Sequence, residues 1–263
     1  VVIEEYPLFE YQPYELALST KMVEVVRKYS LEVLHVHYAI PHAYAAYMAK
    51  QMLKEKGLDV RVVTTLHGTD ITLVGSHPTY KSAVEFSINN SDVVTVVSNN
   101  LKETTNKLFN ITKDIKVIYN FIDAKKYDNA QKEECKRIAL AQPHERIFTH
   151  VSNFRPVKRV EDVVKIFSEV RKEIPAKLLM IGEGPERAKA ESLVKELNII
   201  DDVFFLGNST EVAKILCYTD VFLLPSQTES FGLAALEAMA AGSAVISTNT
   251  GGLPEVNIHG KTG

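Results

Sequence analysis

Two hydrophobic periodicities alternate along the chain. Short runs rich in β-branched residues are followed by longer stretches in which apolar residues recur every three or four positions. This alternation predicts parallel strands joined by helical crossovers. In the first half, the predicted strands are residues 32–37, 60–66, 92–97 and 115–119. The predicted helices of this half are residues 41–54, 78–89 and 99–108.

A second alternating series follows a polar segment, residues 123–144, which is predicted to hold a linker and one helix. The predicted strands of this series are residues 146–151, 177–181, 203–206, 221–224 and 244–247. Its predicted helices are residues 160–173, 186–197, 211–217 and 232–241.

Each half has the pattern of a doubly wound α/β unit, in which ligands bind beyond the carboxyl ends of the strands. We therefore predict two Rossmann-like domains that face each other across a cleft: residues 1–143, which include the linker, and residues 144–263. The first half opens without a preceding strand, turn and helix, and the last residues read as a turn before another strand. The sequence therefore predicts a fragment of a longer protein, with both domains incomplete.

The predicted helix 232–241 carries one charge on an otherwise apolar surface, which predicts a fully buried helix. Because burying a lone carboxylate is costly, Glu237 needs a polar partner, either a basic side chain or the hydroxyls of a ligand. Glu229 precedes this helix, where free N–H groups and the helix dipole favour an anion, and Gly232 lets a ligand approach the backbone. A phosphate fits there, and Glu229 then suits neutral hydroxyls or developing positive charge. The alternative is an acid that only complements the dipole.

Cations cluster after the predicted strand 146–151, at Arg155, Lys158 and Arg159. Arginine and lysine both bind phosphates, so this loop is a candidate for neutralising a diphosphate. A solvated basic turn is the alternative. His67 follows the predicted strand 60–66 and is expected to face the cleft, unless it is only a structural histidine.

Composition narrows the class of protein. The net charge of −3 gives no basic face for nucleic acid, and no apolar run is long enough to span a bilayer. The N-terminus lacks a signal-peptide pattern, and Cys135 and Cys217 read as free thiols, so we expect a cytoplasmic protein. Three histidines, His35, His37 and His42, lack accompanying acidic or cysteine ligands, so no metal is expected.

The spacing of Glu229 and Glu237 in Glu-Ser-Phe-Gly-Leu-Ala-Ala-Leu-Glu resembles the E-x7-E signature of family 4, the retaining glycosyltransferases with the two-domain GT-B fold. Other motifs follow in the order of that family: His67-Gly68, Arg155 with Lys158, Gly182-x-Gly-Pro and Gly251-Gly252-Leu253-Pro254-Glu255. A closer resemblance is to the members that transfer N-acetylglucosamine to L-malate, the first step of bacillithiol synthesis. The segments that resemble those members are residues 11–16, 35–42, 64–72, 119–123 and 151–155.

The resemblance implies roles on the donor side. Arg155 and Lys158 would hold the diphosphate of UDP-N-acetylglucosamine, and Glu237 would accept the ribose hydroxyls. Glu229 would hold the sugar hydroxyls together with backbone N–H groups. The donor-binding residues implied in all are Arg155, Lys158, Ser230, Phe231, Gly232, Leu233 and Glu237.

The resemblance also implies the acceptor side and the reaction. His67 would approach the sugar's 6-hydroxyl and the reacting face, and is with Glu229 a candidate catalytic residue. Tyr38 and Thr65 would belong to the malate pocket. The family retains anomeric configuration and needs no metal or other cofactor, and the resemblance leaves homo-oligomer formation open. A different acceptor (a lipid or polysaccharide), a sugar-nucleotide epimerase and an idle nucleotide-sugar-binding module are the alternatives.

Overall fold

The computed structural model describes residues 13–127, 137 and 140–263. The chain divides into two compact units, Val1–Tyr119 and Asn120–Gly263. Each unit contains a parallel sheet with helices, so the predicted α/β class is confirmed. Residues 11 and 12 of the first family-like segment, the middle of the predicted linker with its helix, and Cys135 lie outside the described residues.

The first unit contains four parallel strands in sequential order, β1-β2-β3-β4. The strands are β1 (Val33–His37), β2 (Arg61–Leu66), β3 (Val93–Val96) and β4 (Ile115–Val117). The helices are α1 (Tyr14–Tyr29), α2 (Tyr44–Lys54), α3 (Pro78–Asn89) and α4 (Asn99–Leu108). Single helical turns, Ala39–Ala43 and Thr69–Leu73, follow β1 and β2. The loops at the carboxyl ends of these two strands are therefore short and ordered by their own hydrogen bonds.

Helix α1 has no counterpart among the predicted elements. Its buried positions, Ser19, Val23 and Val26, recur every three or four residues and face α2. Val23 and Val26 join a core cluster with Leu34, on β1, and Leu53, at the end of α2. Ser19 stands within the otherwise apolar stripe of α1, which hides its helical period in the sequence.

The second unit contains five parallel strands in the order β7-β6-β5-β8-β9. The strands are β5 (Arg146–Val151), β6 (Ala176–Ile181), β7 (Val203–Gly207), β8 (Val221–Leu224) and β9 (Ala244–Ser247). The helices are α5 (Val160–Glu173), α6 (Arg187–Glu196), α7 (Val212–Leu216), α8 (Leu233–Ala240) and α9 (Leu253–Val256). The strand order reverses between β5 and β8. This reversal makes the unit doubly wound and opens a crevice at the carboxyl ends of those two strands.

The amino ends of both sheets share one structural feature, an aspartate one residue before a strand. Asp92 precedes β3 and accepts the N–H of Val62 at 2.7 Å, while its own N–H donates to the Val62 carbonyl at 2.9 Å. Asp220 precedes β8 and makes the same two bonds with Ile147, at 2.8 and 2.9 Å. Cations pair with both carboxylates, Lys50 with Asp92 among them. These ends of the sheets are therefore tied by charge-assisted hydrogen bonds.

Candidate functional site

In the second unit, a cation and a carboxylate meet at the carboxyl ends of β5 and β8. The Lys158 ammonium donates to Oε1 of Glu229, and the hydroxyl of Ser226 donates to the same oxygen at 2.9 Å. Both partners of the ion pair are largely buried, since the side chains are 21% and 13% exposed. Glu229 therefore lies before α8 as predicted, with its charge already balanced by Lys158.

The other two cations of the loop lie elsewhere. Arg155 is exposed, and among the described residues it makes no ion pair. Arg159 pairs with Asp162, at 2.6 Å, in the first turn of α5. Of the three predicted cations, the structure thus brings only Lys158 against Glu229.

Two glycines hold these loops by close backbone contact. A Cβ on Gly182, at φ +123°, would lie 1.7 Å from the carbonyl oxygen of Ser152. A Cβ on Gly251, at φ +59°, would lie 2.0 Å from the carbonyl oxygen of Glu229. Any other residue at either place would force one of the two backbone segments to shift, because real Cβ atoms essentially never come this close to a backbone oxygen. The two glycine motifs thus fix the two loops that carry the candidate donor residues.

The start of α8 places the remaining donor candidates together. Gly232 caps the helix with φ +99°, and a Cβ there would meet Leu253 at 2.5 Å. Of its neighbours, Phe231 is buried, Ser230 is half-buried and Leu233 is exposed. The first turn of α8, with its free N–H groups, therefore begins close to Glu229 in the chain.

The prediction that this helix is fully buried is wrong. Only Ala235 and Ala238 are buried in α8, while Leu233 is 42% exposed and Glu237 is half-buried. Alanine is small enough to occupy either the buried or the exposed face of a helix. The many alanines of α8 therefore led to an overestimate of its burial. Glu237 consequently keeps access to solvent.

The partner of Glu237 inside the chain is a phenol that the sequence analysis missed. Burial, the charge of Glu237 and a hydrogen bond to its carboxylate raise the pKa of Tyr127 to about 12. Tyr127 belongs to a single helical turn at residues 124–127, far from Glu237 in sequence. No local spacing pointed to it.

In the first unit, the three predicted residues lie together at the carboxyl ends of β1 and β2. Tyr38 and His67 immediately follow the two strands, and their rings are 5.1 Å apart. Thr65 lies within β2, and its carbonyl accepts the N–H of Tyr38 at 2.9 Å. The adjacency of His67, Tyr38 and Thr65 follows from the parallel pairing of the two strands.

A second histidine, which the sequence analysis set aside with the rejected metal cluster, contacts His67. His37 Nδ1 and His67 Nε2 are 2.7 Å apart, so one proton lies between them. Burial, followed by His37 and His35, lowers the pKa of His67. Burial and the neighbours His35 and His42 lower the pKa of His37 as well. The pair is therefore neutral near pH 7.

Two further groups order this edge of the sheet. The hydroxyl of Thr65 lies 2.8 Å from His35 Nε2 and 2.7 Å from the hydroxyl of Thr95, so it is engaged inside the chain. Asp70, which is 3% exposed, accepts backbone N–H groups of Ala39, His67 and Gly68 at 2.8 to 3.2 Å. Burial raises the pKa of Asp70 and these N–H groups oppose that rise. Its carboxylate thus ties together the loops that carry Tyr38 and His67.

The absence of a metal cluster and of a membrane-spanning helix can be stated for residues 13–127, 137 and 140–263. These residues contain no group of three or more His, Cys, Asp or Glu residues that could hold a metal ion. In the same part of the chain, every helix is too short or too polar to cross a bilayer.

Solved structures share this architecture. The sucrose-phosphate synthase of Thermosynechococcus elongatus superposes with a TM-score of 0.74 and 23% identity, over 98% of this chain and 67% of that one. The Anabaena protein HepE, in complex with UDP and glucose, gives a TM-score of 0.75 and 18% identity, over 91% of this chain and 64% of that one. The two units therefore have the fold of GT-B glycosyltransferases, as predicted.

Sequence comparison reaches further than the fold. Residues 1–126 match the family described as Glycosyltransferase Family 4, and residues 131–263 match Glycosyl transferases group 1. The N-acetyl-alpha-D-glucosaminyl L-malate synthase of Bacillus anthracis is 49% identical over 263 residues, all of this chain and 68% of that protein. The chain belongs to glycosyltransferase family 4, and the predicted enzyme class is confirmed.

Proposed function

We propose that this protein is a retaining glycosyltransferase that moves N-acetylglucosamine from UDP-N-acetylglucosamine to the hydroxyl of L-malate, the first step of bacillithiol synthesis. The observation that carries the proposal is the 49% identity to the Bacillus anthracis synthase along the whole chain. The motifs of the donor and acceptor sides lie within the matched length. Lipid and polysaccharide acceptors have no comparable support.

The second unit supports the donor side of the proposal. Arg155 is exposed, and Lys158 forms an ion pair with Glu229 just before α8. A diphosphate beside a sugar needs both a cation and an acceptor of hydroxyl protons, and this edge of the sheet supplies them. Glu237 is half-buried and has solvent access, which suits the hydroxyls of the ribose.

The first unit supports the acceptor side. Tyr38 is 37% exposed beside His67, so a phenol and an imidazole are available at the ends of β1 and β2. Thr65 is 9% exposed, with its hydroxyl bonded to His35 and Thr95. We therefore propose that Tyr38 contacts malate directly and that Thr65 shapes the malate pocket.

The reaction follows a front-face path. The malate hydroxyl oxygen bonds to the anomeric carbon on the face from which UDP departs, and the bond from that carbon to the phosphate oxygen breaks. The proton of the malate hydroxyl passes to the departing phosphate. Lys158, Arg155 and the N–H groups at the start of α8 stabilise the charge that develops on UDP. His67, neutral near pH 7, binds the 6-hydroxyl without adding charge.

The proposal includes the setting of the reaction. It requires no metal and no other cofactor, because cations and N–H groups of the chain meet the charge on the leaving group. We place the protein in the cytoplasm, with small-molecule substrates and no nucleic acid, and homo-oligomer formation is compatible with it.

A coupled assay of UDP release tests the proposal. The whole protein is incubated with UDP-N-acetylglucosamine and a panel containing L-malate, D-malate, L-lactate and glycerol, with and without a metal chelator. We expect UDP release that depends on L-malate, resists the chelator and yields the α-anomer by NMR. Equal release without any acceptor, or release with the other acceptors alone, would overturn the malate assignment.

A further inference from the structure

The carboxyl end of β5 contains a buried imidazole that the sequence analysis did not single out. His150 is 0% exposed, and its Nδ1 lies 2.8 Å from the carbonyl oxygen of Leu223 on β8. Its Nε2 lies 2.8 Å from the hydroxyl oxygen of Ser152. A carbonyl oxygen only accepts, so Nδ1 carries the proton and Nε2 accepts from the hydroxyl of Ser152. The ring therefore has one defined tautomer.

The hydrogen bonds continue from this ring into the loop. The hydroxyl oxygen of Ser152 accepts the N–H of Phe154 at 3.2 Å. The Phe154 ring is fully buried and stacks on His150, with centroids 6.1 Å apart. Leu223 on β8 is thus linked through His150 and Ser152 to the backbone just before Arg155.

The ring stands where the backbone ladder between these strands stops. β5 pairs with β8 only at Phe148 with Val221 and at Thr149 with Phe222. Strands separate at a reversal of strand order, and this separation forms the crevice for a ligand. A side chain that is hydrogen-bonded on both the β5 side and the β8 side keeps the two strands at a fixed distance without closing the crevice. His150 occupies that place.

We propose that His150 is a positioning residue for donor binding, which replaces the strand ladder at the crevice and holds the loop of residues 152–158 in place for the diphosphate. The inference rests on the proposed function, because it takes Arg155 and Lys158 in this loop as diphosphate ligands. The loop has further anchors at Gly182, against the Ser152 carbonyl, and at the Phe154 and Val157 carbonyls, which accept the N–H groups of Glu186 and Gln227 at 3.0 and 2.8 Å. Loss of the imidazole relay therefore loosens the segment before Arg155 without releasing the whole loop.

Calorimetric titration of the whole protein with UDP tests the inference. Ser152→Ala breaks the relay without enlarging a buried side chain, and His150→Phe removes both bonds of the ring. Thr149→Val is the matched control, because it deletes a buried hydrogen bond of 2.7 Å between the same strand and Thr219, away from the loop. Thermal unfolding of each variant is measured in parallel.

We expect Ser152→Ala to raise the Kd for UDP about three- to tenfold, the worth of one lost hydrogen bond. Thr149→Val should lower Tm and change the Kd less than about twofold. An equal Kd in wild type and Ser152→Ala would overturn the inference, whether or not His150→Phe folds. Wild-type protein that does not bind UDP would instead overturn the proposed function, so the two failures are distinguishable.

Discussion

The two units place different chemistry at the same edge of their sheets. In the first unit, the carboxyl ends of β1 and β2 carry neutral groups in a network of imidazoles and hydroxyls, centred on His37, His67 and Thr65. In the second unit, the ends of β5 and β8 carry the Lys158–Glu229 ion pair, on loops held by glycine contacts. Among the candidate site residues, the charged side chains therefore belong to the second unit.

This difference between the two units matches the different chemical requirements of the two proposed substrates. A departing nucleotide diphosphate gains negative charge, which fixed cations and N–H groups stabilise. An attacking hydroxyl needs orientation, which neutral hydrogen bonds supply. Because charged contacts are worth more than neutral ones, single substitutions should cost more in the second unit than in the first.

The largest effect is expected from Arg155→Ala. Arg155 is exposed in the free protein, and a bound diphosphate would desolvate it. Loss of one partner of such a charge pair costs about 2–5 kcal/mol, which lowers kcat/KM about 30- to 5000-fold. Arg146→Ala is the control: it removes an exposed arginine at the opposite end of β5, where it pairs with Asp220. Steady-state kinetics of the whole protein measure both. Equal kcat/KM for wild type and Arg155→Ala would remove Arg155 from the donor site.

Gly182→Ala should break the loop geometry of the second unit. The new Cβ would lie 1.7 Å from the Ser152 carbonyl, so the loop or β6 must move, at a cost of about 2–4 kcal/mol in the free energy of unfolding. Gly242→Ala has a similar positive φ, +87°, with nothing within 4 Å, and should cost only about 1 kcal/mol. Chemical denaturation compares the two. Equal costs would mean that backbone conformation, and not the close contact, selects glycine at position 182.

Acid should weaken the second unit through His150. Burial lowers its pKa to about 4, with the Leu223 carbonyl opposing and the charge of Lys158 assisting. In the unfolded chain a histidine takes up its proton near pH 6.5. The contribution of the neutral, buried His150 ring to the free energy of unfolding is therefore complete above that pH. It is lost as pH falls from about 6.5 towards 4, by an amount on the order of 3 kcal/mol.

Thermal unfolding between pH 4.5 and 7 measures this loss. His150→Phe should flatten the dependence of Tm on pH, although His37 and His67 add a smaller slope of the same sign from the first unit. An unchanged slope in His150→Phe would assign the acid sensitivity to other groups.

Glu237→Ala distinguishes a ligand contact from a structural one. If the carboxylate receives the ribose hydroxyls, its loss should raise the donor KM about tenfold while the fold persists. Tyr127→Phe removes the protein's own hydrogen bond to Glu237 and should leave the donor KM within about threefold. Similar KM values for the two variants would make Glu237 a partner of Tyr127 alone.

The smallest effect is expected in the neutral network. Thr65→Val deprives His35 and Thr95 of a shared hydroxyl and should raise the malate KM about fivefold, or about 1 kcal/mol. Thr64→Val is the matched control, because the adjacent hydroxyl bonds to Ser91 on the other face of β2. It should reduce stability by a similar amount without affecting the malate KM. An equal rise in the malate KM of both variants would mean that the effect comes from a disturbance of β2 and not from the pocket.

The sequence predicted the elements best where their pattern was simple. The strands at 146–151, 221–224 and 244–247 have the predicted bounds, since short β-branched runs between polar turns leave little choice. Helix α1 was missed because Ser19 interrupts its apolar stripe. The burial of α8 was overestimated because alanine is found on both the buried and the exposed face of a helix.

The site was predictable as a set of residues but not as a set of contacts. Motif order placed Lys158 and Glu229 on one edge, yet their ion pair joins positions 71 residues apart. The bond from His37 to His67 spans 30 residues, and Tyr127 reaches Glu237 from the linker. Such contacts depend on strand register and loop path, which residue spacing along the chain does not encode.

The aspartates that precede β3 and β8 have a consequence for how this protein can change. Asp92 and Asp220 secure the amino edges of their sheets, at the opposite ends of the strands from every candidate donor and acceptor residue. Substitutions that alter specificity and substitutions that restore stability therefore fall on separate edges. A directed search for new acceptors can accept weakened loops at one edge and compensate by reinforcing the other.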